Sequence, residues 1–180
     1  RLMNELWSIV LAAGESKRMG SPKMLLPFGR TTIIETVIEN VTNSRAGNCM
    51  VVLGAESSSI MRTISRWPVR YCINEDYRKG MLSSVICGFR ALPDSFGAAL
   101  VFPGDHPLIR PQTIDMVISA FRESGRGIVI PVHDGRRGHP LLVSSNYRDE
   151  IYRLPESEGL RALAGRFHGD VLEIETGTDD

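Results

Sequence analysis

The chain has 180 residues, 42% of them apolar and 23% charged, with 21 basic side chains balanced by 21 acidic ones. That is enough chain for one domain, taken here as 1–180, with a substantial hydrophobic core. A formal net charge of zero excludes a global field that would draw it to nucleic acid or an acidic membrane, so any electrostatic function has to be local.

The first element is WSIVLAA, a nearly continuous apolar run of the kind expected for a strand buried on both faces. After a glycine-bounded loop, TTIIETVIENVTNS sets Ile33, Ile34, Val37, Ile38 and Val41 on one helical face, leaving Glu35 and Glu39 for a solvated face. NCMVVLG is a second buried strand, SSSIMRTISR a helix, VRYCIN a third strand, LSSVICGFRALP a helix and AALVF a fourth strand. PQTIDMVISAFRES reads as a helix with Pro111 near its start, where the missing N–H costs little. Two strands, GIVIP and PLLVSS, flank the polar stretch VHDGRRGH and are candidates for an antiparallel pair. A short helix from about Asn146, another near GLRALAGRF and a last strand, DVLEIE, complete the series. Alternating strands and helices predict an α/β fold built on a mostly parallel sheet.

The cysteines Cys49, Cys72 and Cys87 show no paired spacing, and His106, His133, His139 and His168 no close metal-ligand spacing. Inert thiols in a reducing, cytoplasmic setting are the expectation, with neither a disulfide framework nor a zinc site. No apolar run approaches membrane-spanning length, and RLMNELW does not resemble a signal peptide. Trp67, the methionines and Phe89 read as packing residues.

Ligands of such folds gather where loops leave the carboxyl ends of strands. Three loops in that position are chemically unusual, Gly14–Pro22, Asn74–Ser84 and Pro103–Pro107, with Asp134–Pro140 a fourth candidate. The stretch from Gly14 to Arg30 gathers Lys17, Arg18, Lys23 and Arg30 against Glu15 alone, with Ser16 as a further donor. Gly14 and Gly20 permit tight turning and close approach of backbone to a ligand, and successive N–H groups there can cradle an anion. Arg18 can grip a phosphate with two parallel bonds, and Lys23 supplies a mobile point charge. The dinucleotide fingerprint and the P-loop both fail, on glycine spacing and on the prolines that follow. Asp105, directly after the strand in LVFPGDHP, suits either a divalent cation or the cap of a helix after Pro107. Ser83 and Ser84 in KGMLSSVICG suit either capping or ligand contact, and Gly88 suits close packing.

VLAAGESKRMGSPKMLLPFG resembles the L-A-A-G-x-S-x-R-M-G-x-x-K signature of MobA/MocA-like nucleotidyltransferases, and the likeness continues through KGMLSSVICG, PGDHPLI and GRRGHPLL. The resemblance implies a Rossmann-like, three-layer fold with a mixed, mostly parallel sheet, and transfer of a nucleotide from a nucleoside triphosphate to a molybdopterin-type cofactor, with Mg²⁺ as cofactor. It implies nucleotide contacts from Leu11, Ala12, Ala13, Gly14, Ser16, Arg18, Gly20, Lys23 and Ser84, a metal-binding and catalytic role for Asp105 beside Arg18 and Lys23, and acceptor contacts from Arg137 and His139. Ala13 favours the cytidylyl branch, since the guanylyl branch usually reads L-A-G-G. A downstream molybdoenzyme or its chaperone is the implied protein partner, with no nucleic-acid or membrane partner.

Two departures stand against the pattern. ESEGLR replaces G-D-x-G-A-R and keeps only Gly159 and Arg161, and the D-x-D-like carboxylates near the C-terminus have a poor counterpart in Asp179 and Asp180. Two alternatives remain open: another phosphorylated acceptor or GTP as donor, and a nucleotide-binding maturation module without catalysis.

Overall fold

The structure, a computed structural model, describes residues 5–15 and 22–177. Strands β1 (Glu5–Ala12), β4 (Asn48–Leu53), β5 (Arg70–Ile73), β6 (Phe96–Pro103), β7 (Ile128–His133), β9 (Leu141–Ser144) and β10 (Val171–Glu175) form the central sheet, in the order β10-β7-β9-β6-β1-β4-β5. A small hairpin, β2 (Pro27–Phe28) with β3 (Thr31–Thr32), stands apart, and β8 (Arg136–Arg137) pairs back onto β7. The β7–β8 turn is made by Asp134 at φ 47° and Gly135 at φ 75°. Positive φ at both central positions is what a type I′ hairpin requires, and Asp-Gly is a preferred sequence for it.

Within the central sheet, all described pairings are parallel except those of β8 and β9. The antiparallel member expected beside VHDGRRGH is therefore β9, inserted between β6 and β7. The helices are α1 (Ile33–Thr42), α2 (Ser57–Ile64), α3 (Met81–Ala91), α4 (Pro111–Ser124), α5 (Arg148–Tyr152) and α6 (Arg161–Arg166).

Alternation along the strands creates two cores, one on each side of the sheet. In β1, Leu6, Val10 and Ala12 pack under α1, α2 and α4, while Trp7, Ile9 and Leu11 pack under α3, α5 and α6. Each fully buried residue such as Ile38, Phe89 or Ile114 contributes about 1.5–3 kcal/mol through removal of its side chain from water.

Glu35 departs from the expected solvated face. It is 4% exposed and closes a capping box with Thr32, the Thr32 hydroxyl accepting from the Glu35 amide while the Glu35 carboxylate accepts from the Thr32 amide. Arg66 and the indole of Trp67 also donate to that carboxylate. Burial pushes its pKa up, but the hydrogen bonds from Trp67, Thr32 and Arg66 outweigh it and hold the group below the ordinary carboxylate value.

Candidate active site

The direction of chain progression reverses at β1, which has β4 on one side and β6 on the other. At such a point the connections leave in opposite directions and open a crevice beyond the carboxyl ends of the strands. Here the end of β1 and the segment after β6 are tied at its floor, Gly104 N–H donating to the Leu11 carbonyl at 2.8 Å. The cleft above has a volume of about 330 Å³ and is walled by Leu11, Ala13, Gly14, Glu15, Lys23, Met24, Tyr77, Gly80, Met81, Ser84, Pro103, Gly104 and Asp105.

Lys23 and Asp105, 82 residues apart, meet at this cleft with Nζ 3.1 Å from Oδ2, and both side chains remain partly open to solvent. Asp105 does not cap a helix. Helix α4 begins only at Pro111, with Arg110 in the capping position, so its carboxylate is left to face the cleft. It presents hard oxygen donors at the end of a rigid strand, which fits a divalent cation completing its shell with water and phosphate oxygens. Among the described residues no cluster of three or more His, Cys, Asp or Glu side chains forms a metal cage.

The opposite wall is the start of α3. Gly80 precedes it at φ 111°, a backbone conformation that side chains with a Cβ rarely adopt. No side chain caps this helix among the described residues, so the first-turn amides, which have no partner inside the helix, stand beside the cleft. Ser83 and Ser84 behave differently. Ser83 Oγ donates back to the carbonyls of Gly80 at 2.6 Å and Asp76 at 3.1 Å. Ser84, 5% exposed, faces the cleft and accepts from Asn74 Nδ2 at 3.0 Å. Gly88 fulfils its expected packing role, since a Cβ there would lie 2.7 Å from Ile9 Cγ2. At Gly14, by contrast, an added Cβ meets nothing within 4 Å among the described residues.

Leu11, Met81 and Pro103 also border a second cavity of about 360 Å³, lined by Leu82, Val85, Val101, Ile130, Leu141 and Leu160 with Arg137, Gly138, His139, Gly159 and Arg161 at its polar side. Arg137 is held by Glu173, its Nε and Nη2 donating to Oε1 at 3.0 and 2.6 Å. Arg161 donates to the Arg137 carbonyl at 3.4 Å. The rings of His106 and His139 meet edge to face at 5.3 Å. Burial, with electrostatic repulsion from the neighbouring His106 and Arg161 side chains, lowers the pKa of His139 to about 4. His139 is therefore a neutral hydrogen-bonding group at pH 7, and the cationic character of this cavity comes from the arginines.

The structure thus brings Leu11, Ala13, Gly14, Lys23, Ser84 and Asp105 to one cleft and Arg137 and His139 to the adjoining cavity. Ala12, although buried, lies in the other core. Ser16, Arg18 and Gly20 fall outside the described residues, as do Lys17, Asp179 and Asp180. Asn74, Tyr77, Met24 and Met81 were not named individually as site residues, although Asn74, Tyr77 and Met81 fall in the Asn74–Ser84 loop expected at a ligand; the methionines sit at the cleft rather than in featureless packing. The only available signal for Asn74 was its position at the end of a strand.

A crevice at a strand-order reversal, with a cation–carboxylate pair at one wall and an uncapped helix start at the other, defines a nucleotide-handling enzyme of the α/β class. The chain belongs to the MobA-like NTP transferase family, whose model matches residues 8–171, and it is a nucleotidyltransferase. It is 29% identical over 174 residues to the molybdenum cofactor cytidylyltransferase of Escherichia coli K12, covering 96% of this chain and 86% of that protein. Among solved structures, Rv0371c from Mycobacterium tuberculosis H37Rv superposes with a TM-score of 0.87 at 23% identity, over 97% of this chain and 89% of that one. The same protein in complex with manganese gives 0.82 at 22% identity, with the same coverage. A nucleotidyl transferase from Methanothermobacter superposes with a TM-score of 0.81 at 23% identity, over 96% and 87% of the two chains.

Proposed function

We propose that the chain transfers a cytidylyl group from CTP to the terminal phosphate of a molybdopterin-type cofactor, with Mg²⁺, releasing pyrophosphate. The observation that carries this reading is the junction of two cavities across Leu11, Met81 and Pro103, with the Lys23–Asp105 pair on one side and Arg137 and Arg161 on the other. Two substrates bound on either side of that wall meet at it.

In this reading the acceptor phosphate oxygen attacks the α-phosphorus in line and pyrophosphate leaves. The work of the protein is positioning and charge neutralisation, with no covalent intermediate. The backbone from Leu11 to Gly14 and the Ser84 hydroxyl hold the base and ribose. Lys23, with Arg18 and the loop to Gly20, neutralises the triphosphate and the leaving pyrophosphate. Asp105 is the residue that would hold Mg²⁺, which when bound supplies charge neutralisation across the phosphates. Arg137 and Arg161 attract the acceptor's phosphate, and neutral His139 offers it a hydrogen bond. The choice of CTP rests on Ala13 and on the likeness to the E. coli cytidylyltransferase.

The test is calorimetric titration with CTP, GTP and ATP, each with and without Mg²⁺, followed by a pyrophosphate-release assay with molybdopterin. CTP binding that weakens without metal, and release that requires the acceptor, are expected. A GTP preference would overturn the choice of donor, and saturable CTP binding without any pyrophosphate release would overturn catalysis.

A further inference from the structure

At one margin of the sheet the fold brings together two thiols separated by 15 residues of chain. Cys72 lies on edge strand β5 and Cys87 on α3, with their sulfurs 3.7 Å apart. Cys72 Sγ also lies 4.0 Å from the Cys87 carbonyl oxygen. An approach of about 1.7 Å, within reach of side-chain rotation and a small helix shift, separates 3.7 Å from bonding distance. Both residues are partly exposed, and Cys87 borders a surface cleft with Lys79, Ser83, Arg90 and Glu156. Cys49, the third cysteine, is buried in the opposite core.

The pair has the asymmetry of an attacking thiol and its resolving partner. The contact with Cys72 lowers the Cys87 pKa to about 7 against the opposing effect of burial, with help from the Arg90 charge. The same contact raises Cys72, reinforced by burial. Burial alone pushes Cys49 up to about 12. Thiolate character and access therefore coincide only at Cys87.

We propose that Cys72 and Cys87 form a redox-responsive dithiol, oxidised by a peroxide to an intramolecular disulfide that weakens nucleotide binding through α3. The Cys87 thiolate attacks a peroxide oxygen, the O–O bond breaks, and the departing hydroxide takes up a proton and leaves as water. The Cys72 sulfur then attacks the resulting sulfenyl sulfur, losing its proton as the S–O bond breaks and a second water leaves. The two thiols lose two electrons and hydrogen peroxide gains two, so no further reactant is needed.

The link to the cleft is short, and it rests on the cleft being the nucleotide site. Ser84 and Met81, about one and two turns before Cys87, wall the cleft. Asn74, two residues beyond Cys72, donates to Ser83 Oγ at 2.9 Å and Ser84 Oγ at 3.0 Å. Helix α3 cannot move closer to the sheet, because Gly88 already leaves no room for a Cβ against Ile9 and Val52. Drawing Cys87 to Cys72 therefore slides the helix along the sheet and carries Ser84 with it.

The test treats the reduced protein with stoichiometric hydrogen peroxide, alkylates the remaining thiols and maps tryptic peptides without reduction. The expected product links peptide Tyr71–Arg78 to Gly80–Arg90, is reversed by dithiothreitol, and forms equally in C49S. C72S should stop at a Cys87 sulfenic acid trapped by dimedone. Oxidised wild type in which both thiols remain alkylatable, or in which the links run between molecules, would overturn the dithiol. CTP affinity of the linked protein should fall roughly fivefold or more and recover on reduction. Unchanged affinity in fully linked protein would overturn the coupling. Failure of the reduced protein to bind any nucleotide would instead count against the cleft assignment, and peptide mapping would still decide the disulfide.

Discussion

Exchanging Asp105 for asparagine removes one negative charge at the cleft while keeping the shape of the side chain and one oxygen toward Lys23. The pair it breaks is 3.1 Å long, between side chains 54% and 34% exposed, and a pair this open contributes about 0–1 kcal/mol to folding. For a chain of this size that ceiling corresponds to a fall in Tm of about 2–4 °C. The effect on chemistry should be far larger. Loss of a preorganised electrostatic contact in the transition state typically costs about 10²–10³ in kcat, or about 3–4 kcal/mol. Thermal unfolding and pyrophosphate release, measured on the same preparation, separate the two effects. Calorimetry adds a third readout, because the Mg²⁺-dependent gain in CTP affinity should vanish in D105N while metal-free binding persists. Turnover within threefold of wild type, or a metal effect that survives the substitution, would refute the role given to Asp105. A collapse in Tm would show that the Lys23–Asp105 contact serves the fold.

Three further outcomes follow from the geometry. Asn74→Ala leaves the Ser84 hydroxyl without its donor and the Asp76 amide without the Asn74 Oδ1 acceptor; it should cost about 1–3 kcal/mol in denaturant unfolding and weaken CTP binding measured by calorimetry. Gly88→Ala forces a Cβ to 2.7 Å from Ile9 Cγ2 and 3.0 Å from Val52 Cγ2, an overpacking cost of about 1–3 kcal/mol that exceeds the helix-propensity gain of about 1 kcal/mol, so its Tm should fall. Glu35 has a folded pKa below the ordinary carboxylate value of 4.5, so its charged form stabilises the fold above that pH and the contribution is lost as pH falls through the folded pKa; E35Q should be less stable at pH 7 by about 1.5–3 kcal/mol yet show a shallower loss of stability below pH 4.5 in acid titrations of unfolding.

The strands were legible because the central ones are buried on both faces and so read as unbroken apolar runs, as Ile9 to Ala12 and Ala98 to Phe102 do. The placement of β9 was not, because its pairing with β6, Ala98 to Ser144 and Val101 to Leu141, is chosen across some forty residues by the fit of two buried faces. The hairpin of β2 and β3 is two residues a side, too short for any periodicity to register. Glu35 was misread for a different reason. Its spacing from Glu39 suggested a polar face, yet Thr32 three residues before it carries the capping-box pattern that accounts for its burial.

The site divides the same way. Asp105 and Ser84 stand at ends of regular elements, where topology alone predicts a ligand, so their neighbourhood could be read from chain order. What chain order cannot supply is pairing between loops. Lys23 reaches Asp105 across the reversal at β1, Asn74 reaches Ser84 across the turn into α3, and Cys72 reaches Cys87 across the same turn. Each contact joins segments that are separate in the chain, and each depends on how neighbouring elements are set against one another rather than on either segment's own pattern. The last two share one helix and one turn, so the rigidity that Asn74 gives the cleft wall is also what would let a bond between Cys72 and Cys87 be felt there. A protein with Asn74 replaced should therefore lose nucleotide affinity and also become less responsive to oxidation, since Ser84 would already be released.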